Sequence, residues 1–204
     1  EEREADFLRY LREAAQGDDE AQYNVGLSYG NGSGVDEDFD EAVRWYRKSA
    51  KQGNAGAQYL LGSAYFNGEG VAQDYVKALK WFQKSAEQGN ADAQLALGGA
   101  YYYGSGVDED YTEAFKWFQK SAEQGDDVAQ YHIGLSDDVE CVKWYHMSAE
   151  QGNAEAQGTL GGIYADGVGV DEDHDEAYKW YRMSADQGNA YAQYSVGDSF
   201  LEYA

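Results

Sequence analysis

Five tryptophans constrain this chain more than any other feature. Trp45, Trp81, Trp117, Trp144 and Trp180 lie 36, 36, 27 and 36 residues apart, and the phrases Ser85-Ala-Glu-Gln-Gly-Asn-Ala, Ser148-Ala-Glu-Gln-Gly-Asn-Ala and Ser184-Ala-Asp-Gln-Gly-Asn-Ala nearly coincide behind them. A period of this length marks one supersecondary unit copied along the chain, each copy too small to bury its apolar face alone. Copies of that kind stack on their neighbours, so a repeat array is expected instead of a domain with one central core. The copies read as residues 21–56, 57–92, 93–128, a shortened 129–155, and 156–191, with half units over 1–20 and 192–204, all in one array over 1–204. Tyr10, Ala14 and Gly17 of the first half unit match Tyr46, Ala50 and Gly53, and split ends suit capping.

Each copy resolves into two helices. In helix A, apolar residues recur at helical spacing: Ala21, Val25 and Tyr29, then Ala57, Leu61 and Tyr65, then Ala93, Leu97 and Tyr101. A glycine follows the central apolar residue (Gly26, Gly62, Gly98, Gly161). In a helix interior it costs about 1 kcal/mol relative to Ala, and close helix approach is the expected return. A loop with paired glycines such as Gly68 and Gly70 follows. Helix B opens at Asp38, Asp74, Asp110, Asp137 and Asp173, suited to the N-cap, and Glu41, Glu113, Glu140 and Glu176 three residues on complete a capping-box pattern that Lys77 interrupts. Its stripe runs Ala42, Trp45, Tyr46 and Ala50, and Gly53 and its equivalents end it as left-handed C-caps. The expected fold class is all-α: an α-solenoid of stacked antiparallel helix pairs.

The unit A-x-x-x-[LVI]-G-x-x-Y-x-x-G-x-G-V-x-x-D-x-x-x-A-x-x-W-x-x-x-[SA]-A-x-x-G resembles the Sel-one-like repeat (SLR), a relative of the tetratricopeptide repeat (TPR). The period and the double-glycine loop favour it over the shorter TPR unit, and the likeness covers nearly the whole chain. The resemblance implies a TPR-like superhelix serving as adaptor or scaffold, with partners gripped on a concave helix A side. The cysteine-rich bacterial branch of that family staples its helices with disulfides; a chain whose one cysteine is Cys141 departs from it.

The fourth copy breaks the pattern. It lacks nine residues, the equivalents of Tyr29 to Glu37, so Ser136 runs directly into the cap-like Asp137. A helix pair normally needs a connection of about two to eight residues, and here helix A also loses its last turn. The two readings are a strained short turn or nine residues missing at this junction; the in-phase continuation favours the second.

Charge limits the partners. With 15 Lys plus Arg against 38 Asp plus Glu the net charge is −23, which argues against nucleic acid, because binding phosphates rewards cations on the protein. No apolar run approaches the ~18 residues of a membrane span, so a soluble chain is expected, either cytoplasmic or exported after removal of a signal segment. The Gly-x-Gly pairs lack a preceding strand and a third glycine, so they are no nucleotide fingerprint, and no cofactor is implied.

Two alternative chemistries compete with a binding module. Cys141 with His132 and His146 could form a nucleophile and base or a metal site, although Cys141 stands where Ala42, Ala78, Ala114 and Ala177 stand in other copies, a core position. The acidic loops beginning at Asp36, Asp108 and Asp171 suggest calcium-dependent assembly, but Glu sixth and Arg47 twelfth from Asp36 do not fit the EF-hand order. The favoured reading is non-enzymatic. At 100° per residue, Ala21, Val25 and Tyr29 share one side of helix A, while Asn24, Leu27, Ser28 and Asn31 share the opposite ridge. That ridge varies between copies, and its residues Asn24, Ser28, Asn31, Leu60, Ser63, Asn67, Tyr103, His132, Thr159 and Asp166 are the expected partner contacts for a peptide or protein, one with a basic surface being steered by the acidic field.

Overall fold

The computed structural model describes residues 2–134 and 141–202, with no side-chain detail at 111, 134, 141 and 198–202. Among them are twelve α-helices and no strand. They are α1 (Glu2–Ala15), α2 (Asp19–Asn31), α3 (Phe39–Gln52), α4 (Ala55–Asn67), α5 (Tyr75–Glu87) and α6 (Ala91–Tyr103), followed by α7 (Tyr111–Glu123), α8 (Asp127–Gly134), α9 (Cys141–Glu150), α10 (Ala154–Asp166), α11 (His174–Asp186) and α12 (Ala190–Glu202). Within the first unit α1 to α6 each pack on the next helix in sequence, and within the second α8 to α12 do the same, so the fold is an all-α, SLR/TPR-like solenoid of stacked helix pairs. The chain forms two compact units, one up to Trp117 and one from Phe118 on. The fourth-copy junction, with Leu135, Ser136, Asp137 and Glu140, lies outside the described residues.

In the first unit the cores sit between consecutive helix pairs. Ala57 and Leu61 of α4 pack with Ala42, Val43, Tyr46 and Ala50 of α3, and Ala93 and Leu97 of α6 pack with Ala78, Phe82 and Ala86 of α5. In the second unit Ala156 and Leu160 of α10 meet Tyr145 and Ala149 of α9. The central residues Val25, Leu61, Leu97 and Leu160 are fully buried, as the helical period requires. The tyrosines one turn on, such as Tyr29 and Tyr65, are only half-buried.

The helix-interior glycine does mark a close approach. A Cβ on Gly62 would lie 2.6 Å from Phe82 Cδ1, and one on Gly161 would lie 2.5 Å from Tyr181 Cδ1. The second loop glycine serves a different contact. Gly70 has φ 62°, and a Cβ there would meet the Phe39 carbonyl oxygen at 2.1 Å, so the loop rests on the first turn of the preceding helix B.

Helix ends follow the sequence reading with two differences. Asp38, Asp74, Asp110 and Asp173 each accept from the backbone N–H three residues on, at 2.9–3.0 Å. The capping box is only half formed. The N–H groups of these aspartates donate to the carbonyls of Tyr29, Tyr65, Tyr101 and Tyr164, and Glu41, Glu113 and Glu176 pair instead with Arg44, Lys116 and Lys179. The loop brings the end of helix A within reach first. The second difference is where helix A starts: Asp18, Asn54, Asn90 and Asn153 cap it, three residues ahead of the alanine that opens the sequence unit. Gly53, at φ 109°, ends α3, and Asn54 starts α4, so the Gly-Asn pair is the whole turn.

Candidate partner-binding surface

The junctions between helices consume polar groups that their residue types would otherwise offer to solvent. In the first unit Ser85 Oγ donates to the Ala55 carbonyl at 2.7 Å, Gln58 Nε2 donates to the Ala50 carbonyl at 3.1 Å, and Gln88 Nε2 donates to Gln58 Oε1 at 2.7 Å. Ser49, Gln22 and Gln52 repeat the arrangement one copy earlier. In the second unit Ser184, Gln157 and Gln187 repeat it again. Ser85 and Ser184 are completely buried. Sequence reasoning missed this ladder, although its signal was available: Gln22, Gln58 and Gln94 recur at the full period beside the first alanine of helix A.

The ridge residues divide by environment. In the first unit Asn31, Asn67 and Tyr103 are exposed at the ends of their helices A, and Tyr103 is 66% exposed. Asn31 Oδ1 accepts from the Ser33 N–H at 3.0 Å, and Tyr103 sets its ring against the edge of Tyr102 at 4.9 Å. Asn24 and Ser63 are half-exposed, and Leu60 is half-buried against the core. Ser28 is buried, and its hydroxyl donates to the Asn24 carbonyl, so the ridge in that copy is narrower than the helical wheel implies. In the second unit Thr159 is half-exposed and Asp166 exposed, whereas His132 stacks on Phe118 at 4.6 Å. Leu135 lies outside the described residues.

Each unit carries a groove bordered by this ridge. A cleft of about 220 Å³ in the first unit has Leu27 and Gly30 of α2 facing Leu60 and Ser63 of α4, with Tyr46 at its base. A larger groove of about 400 Å³ in the second unit runs along α10 past Gly158, Thr159, Gly162 and Asp166, with Tyr191 of α12 on the far side.

The residues of the alternative chemistries occupy separate environments. His146 shares a hydrogen bond with the Tyr164 hydroxyl at 2.9 Å and meets Trp180 edge-on at 5.7 Å. Burial lowers the pKa of His132, with the Asp126 charge opposing it. The side chain of Cys141 is outside the described residues. In the acidic loops Asp38, Asp110 and Asp173 act as caps, and His174 pairs with Glu172 at 2.9 Å. Among the described residues no group of three His, Cys, Asp or Glu is arranged to hold a metal. Neither alternative gains support from these placements.

Tyr46, which floors the first cleft, has its phenol pushed up to about 12 from 10.0, mainly by burial and secondarily by the neighbouring Tyr23 phenol. Because its folded value is raised, the unfolded chain releases this proton first. Stability is therefore undiminished below pH 10 and falls as pH rises toward 12. Tyr46→Phe should flatten that decline, since Phe82 already fills the equivalent place. Urea midpoints at pH 9, 10 and 11 check it, and an equally steep decline in the variant would refute the assignment.

The Sel1 repeat family profile matches residues 19–54, 55–90, 91–126, 129–153 and 154–189. The helix-pair array is thus that of a Sel1-like repeat protein, and the chain belongs to the Sel1 repeat family. A Sel1 repeat protein from Oxalobacter formigenes is 38% identical over 90% of this chain and 76% of its own, with a TM-score of 0.82. The antigen c5321 of uropathogenic Escherichia coli, which displays an SLR fold, is 34% identical over 96% of this chain with a TM-score of 0.56; this chain spans about half, 52%, of that one. A Sel1 repeat protein of Klebsiella pneumoniae, at 21% identity and a TM-score of 0.58, shares the fold over 93% of this chain and 97% of its own. No curated protein matches significantly. Sel1 repeat proteins are in general protein-interaction scaffolds and typically non-catalytic. No described helix is long and apolar enough to cross a membrane.

Proposed function

We propose that this chain is a non-catalytic adaptor that holds a peptide or protein segment along the outward ridge of its helices A. One observation carries the reading: in both units the ridge borders an open groove, while the polar groups of the helix junctions are spent inside the framework. Stacked repeats are stiff, so little ordering entropy is lost on binding, and exposed aromatics such as Tyr103 supply contact area. A partner with a basic surface is favoured by the charge of −23, which steers encounter and makes association salt-dependent.

The test is affinity capture from the native host's lysate at low and high salt with wild type and an Asn24→Ala, Asn67→Ala, Tyr103→Ala variant. These side chains are outside the buried cores, so the melting temperature should change little while capture of the wild-type partner is lost. Capture undiminished in the variant would overturn the ridge assignment.

A further inference from the structure

The groove of the second unit differs from the rest of the helix A surface in both shape and charge. In the fifth copy Gly158, Thr159 and Gly162 stand where the second copy has Tyr59, Leu60 and Ser63. These smaller residues open a trough of about 400 Å³ along α10. Its middle is lined by Gly158, Gly162 and Ile163, and Val168 and Tyr191 border it with 58% and 62% of their surfaces exposed. A carboxylate stands toward each end: Glu155 in the first turn of α10 and Asp166 at its last residue. Asn189 donates to Glu155 Oε1 at 3.0 Å, and among the described residues neither acid forms an ion pair. The Asp166 charge sits at the negative end of the helix dipole, where a cation would be favoured. Helix stability gives no reason for an acid there, and the earlier copies place Asn31, Asn67 and Tyr103 at that position.

We propose that this trough binds an extended peptide segment of the form basic-x-apolar-x-basic. The proposal rests on the adaptor reading and names the partner chemistry of one of its grooves. Glu155 and Asp166 are eleven residues apart on α10, and at about 1.5 Å per residue that spacing is roughly 16 Å along the axis. An extended strand covers about 13 Å from residue i to i+4, and lysine or arginine side chains reach across the remainder. Because side chains alternate, residues i, i+2 and i+4 face the same way. The two cations then meet the two carboxylates while the apolar residue drops between Gly158 and Gly162. Tyr191 offers a ring face to a basic side chain as well.

The probe is the peptide acetyl-Ala-Lys-Ala-Leu-Ala-Lys-Ala-amide, titrated into the full chain by calorimetry and by amide NMR. The Gly158 and Gly162 amide signals should move, and replacing both lysines by glutamine should weaken binding by about 4- to 25-fold, the product of two exposed ion pairs. Glu155→Gln and Asp166→Asn should each weaken it about two- to fivefold, the range of a solvent-exposed ion pair. Gly162→Leu should block the trough, with helical circular dichroism verifying the fold. Asp92→Asn, an exposed acid of the first unit, removes the same charge elsewhere and should leave affinity unchanged. Equal weakening by Asp92→Asn and Asp166→Asn would reduce the effect to general attraction and overturn the proposal, as would wild-type affinity in Gly162→Leu. If a host partner is lost by the Asn24, Asn67, Tyr103 variant yet the probe does not bind, the adaptor reading stands and the trough proposal fails. If the probe binds while that variant still captures the host partner, the trough stands and the ridge assignment fails.

Discussion

Phe82→Ala is expected to destabilise the first unit by about 3–5 kcal/mol, the usual cost of emptying a buried aromatic site. Phe82 is 3% exposed, packs near Tyr59 and Phe66 at 6.0 and 6.3 Å between ring centroids, and fills the hollow that Gly62 leaves. The pair predicts a sign reversal. Gly62→Ala alone adds a methyl 2.6 Å from the ring, so its helix-propensity gain of about 1 kcal/mol is outweighed by an overpacking cost of about 1–3 kcal/mol. In the Phe82→Ala background the same substitution should be stabilising, because the clash is gone. A double-mutant cycle from urea denaturation measures the coupling. Since repeat arrays can unfold in parts, hydrogen exchange of the α4 and α5 amides should accompany it. Stabilisation by Gly62→Ala in the wild-type background would mean that the glycine is not there for the ring.

The second large effect is expected in the buried ladder. Gln58→Leu keeps the side chain roughly in shape but removes two hydrogen bonds, leaving the Ala50 carbonyl with only the Gly53 N–H and the Gln88 amide with only the Lys84 carbonyl, a cost of about 1–3 kcal/mol. Ser85→Ala removes the hydroxyl's bond to the Ala55 carbonyl, which keeps the N–H of its own helix, and should cost about 0.5–1.5 kcal/mol. Combined, about 1.5–4.5 kcal/mol should be lost, since the two side chains serve different carbonyls. Gln88→Ala should cost clearly less, because Gln88 is exposed and water can replace it. Chemical denaturation of the three variants ranks them, and Gln88→Ala as the most damaging would contradict the ladder.

The contrast between these side chains explains what could be read in advance. Asp74 as an N-cap and Gly53 as a helix stop are local chemistry, settled within three or four residues of backbone, so spacing reveals them. Val25 and Leu61 were legible because a period of 3.6 leaves one side of helix A to the core. The capping box was half wrong because its second half depends on a competitor from another element, the Tyr29 or Tyr65 carbonyl, that no local pattern contains. Ser28 was placed on the ridge by angle alone, yet its small side chain folds back on its own helix.

The sequence by itself determined the family, the all-α repeat architecture, the helix ends and the acidic character of the surface, because these follow from periodicity and from interactions within one helix turn. Only the tertiary structure decided which of the repeated residues are spent and which face outward. Gln58 and Ser85 could not be told from surface residues until α4 and α5 were set side by side. The trough along α10 became visible only when Gly158 and Gly162 were seen opposite Tyr191. A groove is an absence of side-chain volume between helices, and that volume is the joint product of residues more than thirty positions apart, such as Gly158 and Tyr191.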